Sequence, residues 1–212
     1  MEKKENIFEI ELVGISYKEL PQNQLDTFNQ NIDAIEELFQ CGKKSYDTNI
    51  NTYSMESNEF GSIMNKIIFY ENLLYKGKEF HLNKKESYSS INYLDKLDQY
   101  IIYSDYYIKY LSNTSIKTSI GKLSIIEMAR CDKNMGKMLE SFGYKCQKTQ
   151  NKKGYLFKYK GEAIIAIAKE LNDNDKLYHI IEIHGFCKEN KKDYLSKKIE
   201  EIKNNLSDIF LF

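Results

Sequence analysis

Residues 162–169 (EAIIAIAK) and 177–186 (LYHIIEIHGF) are two apolar runs parted by the polar turn Asn172-Asp173-Asn174-Asp175, and their reading decides the fold. Each has the length of a strand, and the link between them is too short for a helical crossover, so the pair is antiparallel. Upstream, Tyr144–Gln150, the turn Asn151-Lys152-Lys153-Gly154 and Tyr155–Lys160 read as a hairpin whose glycine supplies a positive φ, with Lys160-Gly161 as a second tight turn. Before it, Asp132 caps a short helix carrying Met135, Met138, Leu139 and Phe142 on one face and ending at Gly143. Downstream, Lys188–Asn205 is a charged helix turning Tyr194, Leu195, Ile199 and Ile202 toward the sheet, and the apolar tail Ile209–Phe212 docks.

The rest of the chain adds strands and one more helix. Ile7–Val13 (IFEIELV) alternates, with Phe8, Ile10 and Leu12 on one side and Glu9 and Glu11 on the other. Pro21 suits a first helical turn, and Leu25, Phe28, Ile32, Ile35 and Phe39 recur at helical spacing through Gln40. Residues 41–59 are polar enough for a surface loop, as is 83–99. Ile63–Tyr75 reads as a strand, with Glu79–Leu82 pairing back across Lys76-Gly77-Lys78. Tyr100–Leu111 (YIIYSDYYIKYL) and Lys122–Arg130 (KLSIIEMAR) complete a set of about eight strands and three helices. The expected class is α+β: a mostly antiparallel, many-stranded β-barrel or strongly curved sheet with a few flanking helices. Residues 1–212 are expected to form a single domain with the two surface loops named above.

Composition narrows the function classes. Lys plus Arg and Asp plus Glu both number 31, so a general attraction to nucleic acid or anionic lipid is not expected. Arg130 is the only arginine, which leaves any phosphate-handling site to lysine. Cys41, Cys131, Cys146 and Cys187 form no CxxC pair and read as reduced, mostly buried thiols of a cytosolic or nuclear protein. No window has the roughly 20 apolar residues of a membrane helix.

Several constellations bear on chemistry. Glu9 and Glu11 share one strand face, the way paired carboxylates hold a divalent metal in a tunnel-type triphosphatase. The ExExK signature of those enzymes is incomplete here, since Val13 stands at the lysine position. Solvent-facing glutamates on an amphipathic strand are the simpler reading. Glu182 and His184 share a face and could join the glutamates across a barrel, while His179 points the other way. Cys187 and His184 lie three apart on one strand and face opposite ways, so they make no nucleophile and base. Lysines of 148–160 interleave with Tyr155, Phe157 and Tyr159, superficially like an RNA-stacking strand, but alternation favours core aromatics and solvated lysines. The tyrosines of 103–110 fill both faces of their strand and suit a partner interface.

From Tyr107 onward the order of features resembles subunit 18 of the Mediator complex: YIKYL, LSIIEMAR, MLESFGY, GYLFKYKGEAIIAIAKE, YHIIEIHGF and a final amphipathic helix. FEIELVGIS resembles that family's first strand more weakly, and Tyr107 stands where the family usually opens the YIKYL-like strand with tryptophan. The resemblance implies a non-catalytic nuclear subunit of the RNA polymerase II coactivator, with no cofactor, no catalytic residue and no metal. It further implies a barrel related in architecture to tunnel triphosphatases, pairing with Mediator subunit 20 and gripping a helix of subunit 8. The alternative is a metal-dependent tunnel-type phosphohydrolase using Glu9, Glu11 and Glu182, and a weaker third reading is an RNA-binding module built on the 148–160 hairpin.

Overall fold

The computed structural model describes residues 6–16, 24–55, 66–72, 106–111, 116–118, 120–159, 163–171 and 177–212. Ten strands and three helices are described. They run in the order β1 (Ile7–Ser16), α1 (Gln24–Phe39), β2 (Lys43–Ser54), β3 (Lys66–Asn72), β4 (Tyr106–Leu111), β5 (Ile116–Thr118), β6 (Gly121–Arg130), α2 (Met135–Ser141), β7 (Lys145–Tyr159), β8 (Ala163–Leu171), β9 (Leu177–Lys188), α3 (Lys192–Leu206) and β10 (Phe210–Leu211). The hydrogen-bonded order is β10-β1-β9-β8-β7-β2-β3-β4-β6-β5, with β1 also pairing β6, so the bonding returns on itself. Every pairing with a determined register is antiparallel. The expected class, an antiparallel many-stranded sheet with flanking helices, is the one observed. Among the described residues no helix is long and apolar enough to cross a membrane.

The chain gathers into two compact units. The first comprises Met1–Tyr46, Ser112–Ile126 and Lys152–Phe212. Here β8, β9 and β1 lie side by side, and each turns one set of alternate residues to the helices. Ile165 and Ile167 of β8, Ile181 and Ile183 of β9, and Phe8, Ile10 and Leu12 of β1 pack against Phe28, Ile32, Ile35 and Phe39 of α1 and Leu195, Ile199 and Ile202 of α3. Each fully buried isoleucine contributes about 2 kcal/mol of apolar burial. The α3 helix sits close because residue 185 is glycine; a Cβ there would lie 2.7 Å from Leu195 Cδ1. The apolar tail docks as expected, β10 pairing Leu211 with Ile15 and burying Phe210.

The second unit comprises Asp47–Leu111 and Glu127–Asn151. Its small core joins Tyr53, Ile67, Phe69 and Leu139, with Tyr106, Ile108, Tyr110 and Met135 against it. Of the tyrosines suited above to a partner, Tyr106 stacks on Phe69 at 6.1 Å and Tyr107 on Tyr70 at 4.3 Å, while Tyr103 lies outside the described residues. The α2 helix ends as its sequence requires, with Gly143 at φ +88° and Tyr144 N–H donating to the Leu139 carbonyl. Asp132 accepts from the Asn134 N–H at 2.6 Å at its start. Met138 and Phe142 are exposed, however, and the helix buries Gly136 and Leu139 instead. Tyr194 of α3 is likewise exposed.

Two expectations are corrected. Residues 43–54 form strand β2 instead of a loop, because polar side chains bond laterally: Asn151 donates to Asp47 and Asn49 at 3.0 Å, and Thr149 to Asn51 at 2.8 Å. The hairpin at Asn151–Gly154 is instead the middle of one continuous strand, β7. Gly154 is needed there for close approach to β8, since a Cβ would stand 1.9 Å from the Ile167 carbonyl oxygen. The proposed strand Glu79–Leu82, the polar stretch 83–99 and the turns at Lys160-Gly161 and Asn172–Asp175 lie outside the described residues.

Gly154→Ala is expected to cost about 3 kcal/mol or more through this backbone overlap, and Gly143→Ala about 1 kcal/mol through its positive φ alone. Urea unfolding of both variants checks the ranking; equal small losses would refute the close approach at Gly154.

Candidate active site

The face of β8, β9 and β1 turned away from α1 and α3 is built by the same alternation. From β1 it receives Glu9, Glu11, Val13 and Ile15; from β9, Phe186, His184, Glu182 and Ile180, in antiparallel register. The register sets Glu11 beside His184 and Val13 beside Glu182. On the far side of β9, Ala166 of β8 lies beside Glu182, and Leu156 of β7 lies beside Ala166. Because β7 is continuous, Lys152 falls on this face two residues before Gly154 and reaches along it.

Four side chains meet there. His184 Nδ1 lies 3.0 Å from Glu9 Oε1, and its Nε2 lies 3.8 Å from Glu182 Oε2. Lys152 Nζ donates to Glu182 Oε1. Glu9 is 1% exposed, and the side chains of Lys152, Glu182 and His184 are 12%, 15% and 15% exposed. As a carboxylate Glu9 can only accept, which assigns the Nδ1 proton to His184 and leaves Nε2 toward Glu182. Burial alone would raise the Glu182 carboxyl, but the hydrogen bonds and charges of His184 and Lys152 outweigh it and hold the group well below the usual carboxylate range.

Glu9, Glu182 and His184 are therefore brought together, side by side on neighbouring strands and not across a barrel. The reading of Glu9 as a solvent-facing glutamate is overturned by its burial, whereas Glu11 is half-buried. His179 takes the opposite face, as expected, buried against Phe28 at a ring distance of 4.7 Å. Cys187 also lies on the helix-covered side, and burial pushes its thiol up to about 11. It is the only one of the four cysteines that is buried; Cys146 is exposed and all four are free thiols. The aromatics of the RNA-binding reading sit in the core, Tyr159 edge-on to Phe39 at 5.0 Å and Tyr155 tilted against Phe28 at 6.3 Å. Lys152 was hidden to sequence reasoning because a turn was placed on it; counting alternate residues back from Leu156 along one strand would have found it. Lys109, buried on β4 of the second unit, gave no signal beyond its place between Tyr107 and Leu111.

A carboxylate-held divalent cation does not fit this arrangement. Glu182 engages Lys152 and His184 through its two oxygens, and Glu9 engages His184. Among the described residues no group of three or more His, Cys, Asp or Glu side chains is placed to hold a metal. The positive charge that a metal would bring is already supplied by the chain.

No protein-family model matches the chain, and no curated protein matches its sequence. Solved structures share its fold along nearly the whole length. A protein of Pyrococcus horikoshii matches with TM-score 0.54 at 14% identity, over 96% of this chain and 93% of that one. A conserved hypothetical protein of Pyrococcus furiosus matches with TM-score 0.53 at 11% identity, over 94% and 90%. A candidate adenylate cyclase of Vibrio parahaemolyticus matches with TM-score 0.51 at 13% identity, over 94% and 88%.

These findings correct the reading of the chain as a non-catalytic Mediator subunit. That reading rested on matched apolar runs and turns, with which missing catalytic groups were consistent, whereas the structure places a buried carboxylate, imidazole, carboxylate and ammonium on one sheet face. The shared fold is that of proteins such as the Vibrio candidate cyclase, so the expectation of no enzymatic centre is withdrawn with it. Mediator subunits 20 and 8 as partners and the nucleus as location were implied by the resemblance alone and are not carried further.

The folded-state carboxyl of Glu182 titrates below its ordinary value of 4.5, so its stabilising contribution is complete above that pH and is lost as pH falls toward the depressed value. Stability measured by urea unfolding should therefore decline between about pH 5 and pH 3, and Glu182→Gln should flatten that decline. Lys152→Met, which leaves a buried carboxylate without its ammonium, should cost on the order of 3 kcal/mol at neutral pH.

Proposed function

We propose that this chain is a tunnel-type phosphohydrolase whose site is the row Glu9, His184, Glu182 and Lys152. The observation that carries the proposal is the convergence of Lys152 and His184 on the two oxygens of Glu182. Two donors aimed at carboxylate oxygens also suit the oxygens of a phosphoryl group, and in a site mostly closed to water such donors stabilise developing negative charge. Glu9 orients the imidazole through Nδ1, which aims the Nε2 proton, as a second donor beside Lys152, at the oxygens of an incoming phosphoryl group. Lys152 would balance charge on the phosphoryl oxygens. The solved structures that share the fold support the reading through their architecture, one of them being described as a candidate adenylate cyclase.

Phosphate release from nucleoside triphosphates, inorganic tripolyphosphate and aryl phosphates, assayed with and without added magnesium, tests the proposal. His184→Ala is expected to lower kcat at least about 100-fold, the usual scale of one lost donor to developing negative charge. Lys152→Met is expected to raise KM and lower kcat together, with the folded circular dichroism spectrum retained in both. Absence of hydrolysis across that panel, or activity indifferent to both substitutions, would remove the proposal.

A further inference from the structure

Next to the charged row, on the same face, runs an apolar one. Val13 is 46% exposed, Ile15 45% and Leu211 58%, in a unit whose other strand isoleucines are mostly buried. Register places them together: Leu211 beside Ile15, Ile15 beside half-buried Ile180, and Val13 beside Glu182. Across β9 the neighbours of Ile180 are Ala168 and then Gly154, both buried. The row begins at Val13, directly opposite Glu182, and reaches Ile180 two residues along β9, about 7 Å at the rise of a strand.

We infer that this row is the seat for the organic group of the substrate, so that the site takes a phosphate monoester of an apolar or aromatic alcohol in preference to inorganic phosphate or polyphosphate. The inference rests on the phosphohydrolase reading and adds the substrate class to it. Three observations argue for that occupant. The row is continuous with the charged one on the same two strands, so a ligand held at Lys152 and His184 has its ester substituent directed along β1 and β9 or away from the sheet. Val13, directly opposite Glu182, has its Cβ about 5 Å from that of Glu182, the span an ester-linked ring covers from its phosphorus. Val13 occupies the position at which an ExExK strand would present a lysine, so a cation that would favour a longer chain of phosphates is replaced by an aliphatic surface. Aliphatic side chains half open to water gain from covering by an aromatic ring, and the gain is confined to ligands that carry one.

Binding, not turnover, is the test, with phenyl phosphate and inorganic phosphate as probes in isothermal titration of the full chain. Phenyl phosphate should bind at least about tenfold tighter than inorganic phosphate, the scale expected when a ring covers about 60 Å² of apolar surface. Val13→Ser/Ile15→Ser should erase that preference, and Leu211→Ser, at the end of the row, should reduce it in part. Thermal melts confirm that the variants fold, and Leu211→Ser keeps the test alive if the double variant does not. Equal affinity for the two probes in the wild type, or a preference that survives these substitutions, overturns the inference and leaves the phosphohydrolase reading standing. Failure of both probes to bind overturns the two together. Dimerisation seen by light scattering and abolished by Val13→Ser/Ile15→Ser would assign the row to a second copy of the chain and overturn the inference as well.

Discussion

Charges taken out of water must be neutralised within a few ångström, and in the first unit the register of β1 against β9 allows it. Glu9 and Glu182 belong to different strands, and the imidazole of His184 reaches both only because Glu11 pairs with His184 and Val13 with Glu182. A slip of one residue would turn Glu9 toward α1 and α3 and put Ile10 in its place. The cost of burying an unpaired carboxylate is several kcal/mol, so the charged row opposes such a slip as strongly as the isoleucines of the other face do. The two faces of these strands thus specify one register by different means, packing on one side and charge compensation on the other.

The same register explains the glycines. Gly154 admits the β8 backbone, which keeps β7 straight through Lys152 and points that ammonium along the polar face. Gly185 admits α3 on the opposite face, one residue from His184, so the strand that carries the imidazole is held by a helix packed directly behind it. The imidazole is thus supported by close packing of backbone and helix behind its strand and by Glu9 at its Nδ1.

Much of this fold was legible because β8, β9, α1 and α3 owe their structure to apolar periodicity, which a sequence displays directly. The runs IIAIA and IIEI and the heptad-like spacing of Phe28, Ile32, Ile35 and Phe39 allow few alternatives. β2 was not legible, because its pairing is carried by Asn49 and Asn51, residues that signal turns when their distant partners Thr149 and Asn151 are unknown. The turn assigned to Asn151–Gly154 failed for a related reason: glycine serves both positive φ and close approach, and only the position of β8 distinguishes them. Of the site, Glu9, Glu182 and His184 were legible as candidates on shared faces. Their adjacency was not, since it depends on the first strand pairing with the ninth, across almost the full length of the chain. The resemblance to a Mediator subunit matched apolar runs and turns, the features that many antiparallel sheets share, and could not register a buried charge.

In the proposed phosphohydrolase site Glu182 would set selectivity as well as stability. Lys152 and His184 hold its carboxyl ionised across the neutral range, so any incoming anion must displace a resident carboxylate from the same two donors. A singly charged anion gains nothing from that exchange, because it replaces one negative charge by another and leaves Glu182 to be rehydrated. A phosphoryl dianion brings an additional charge and a third oxygen, and so gains more from the ammonium and the imidazole than the carboxylate it displaces. Under that proposal competition from within the site would filter on charge, and the apolar row beside it on what the charge is attached to.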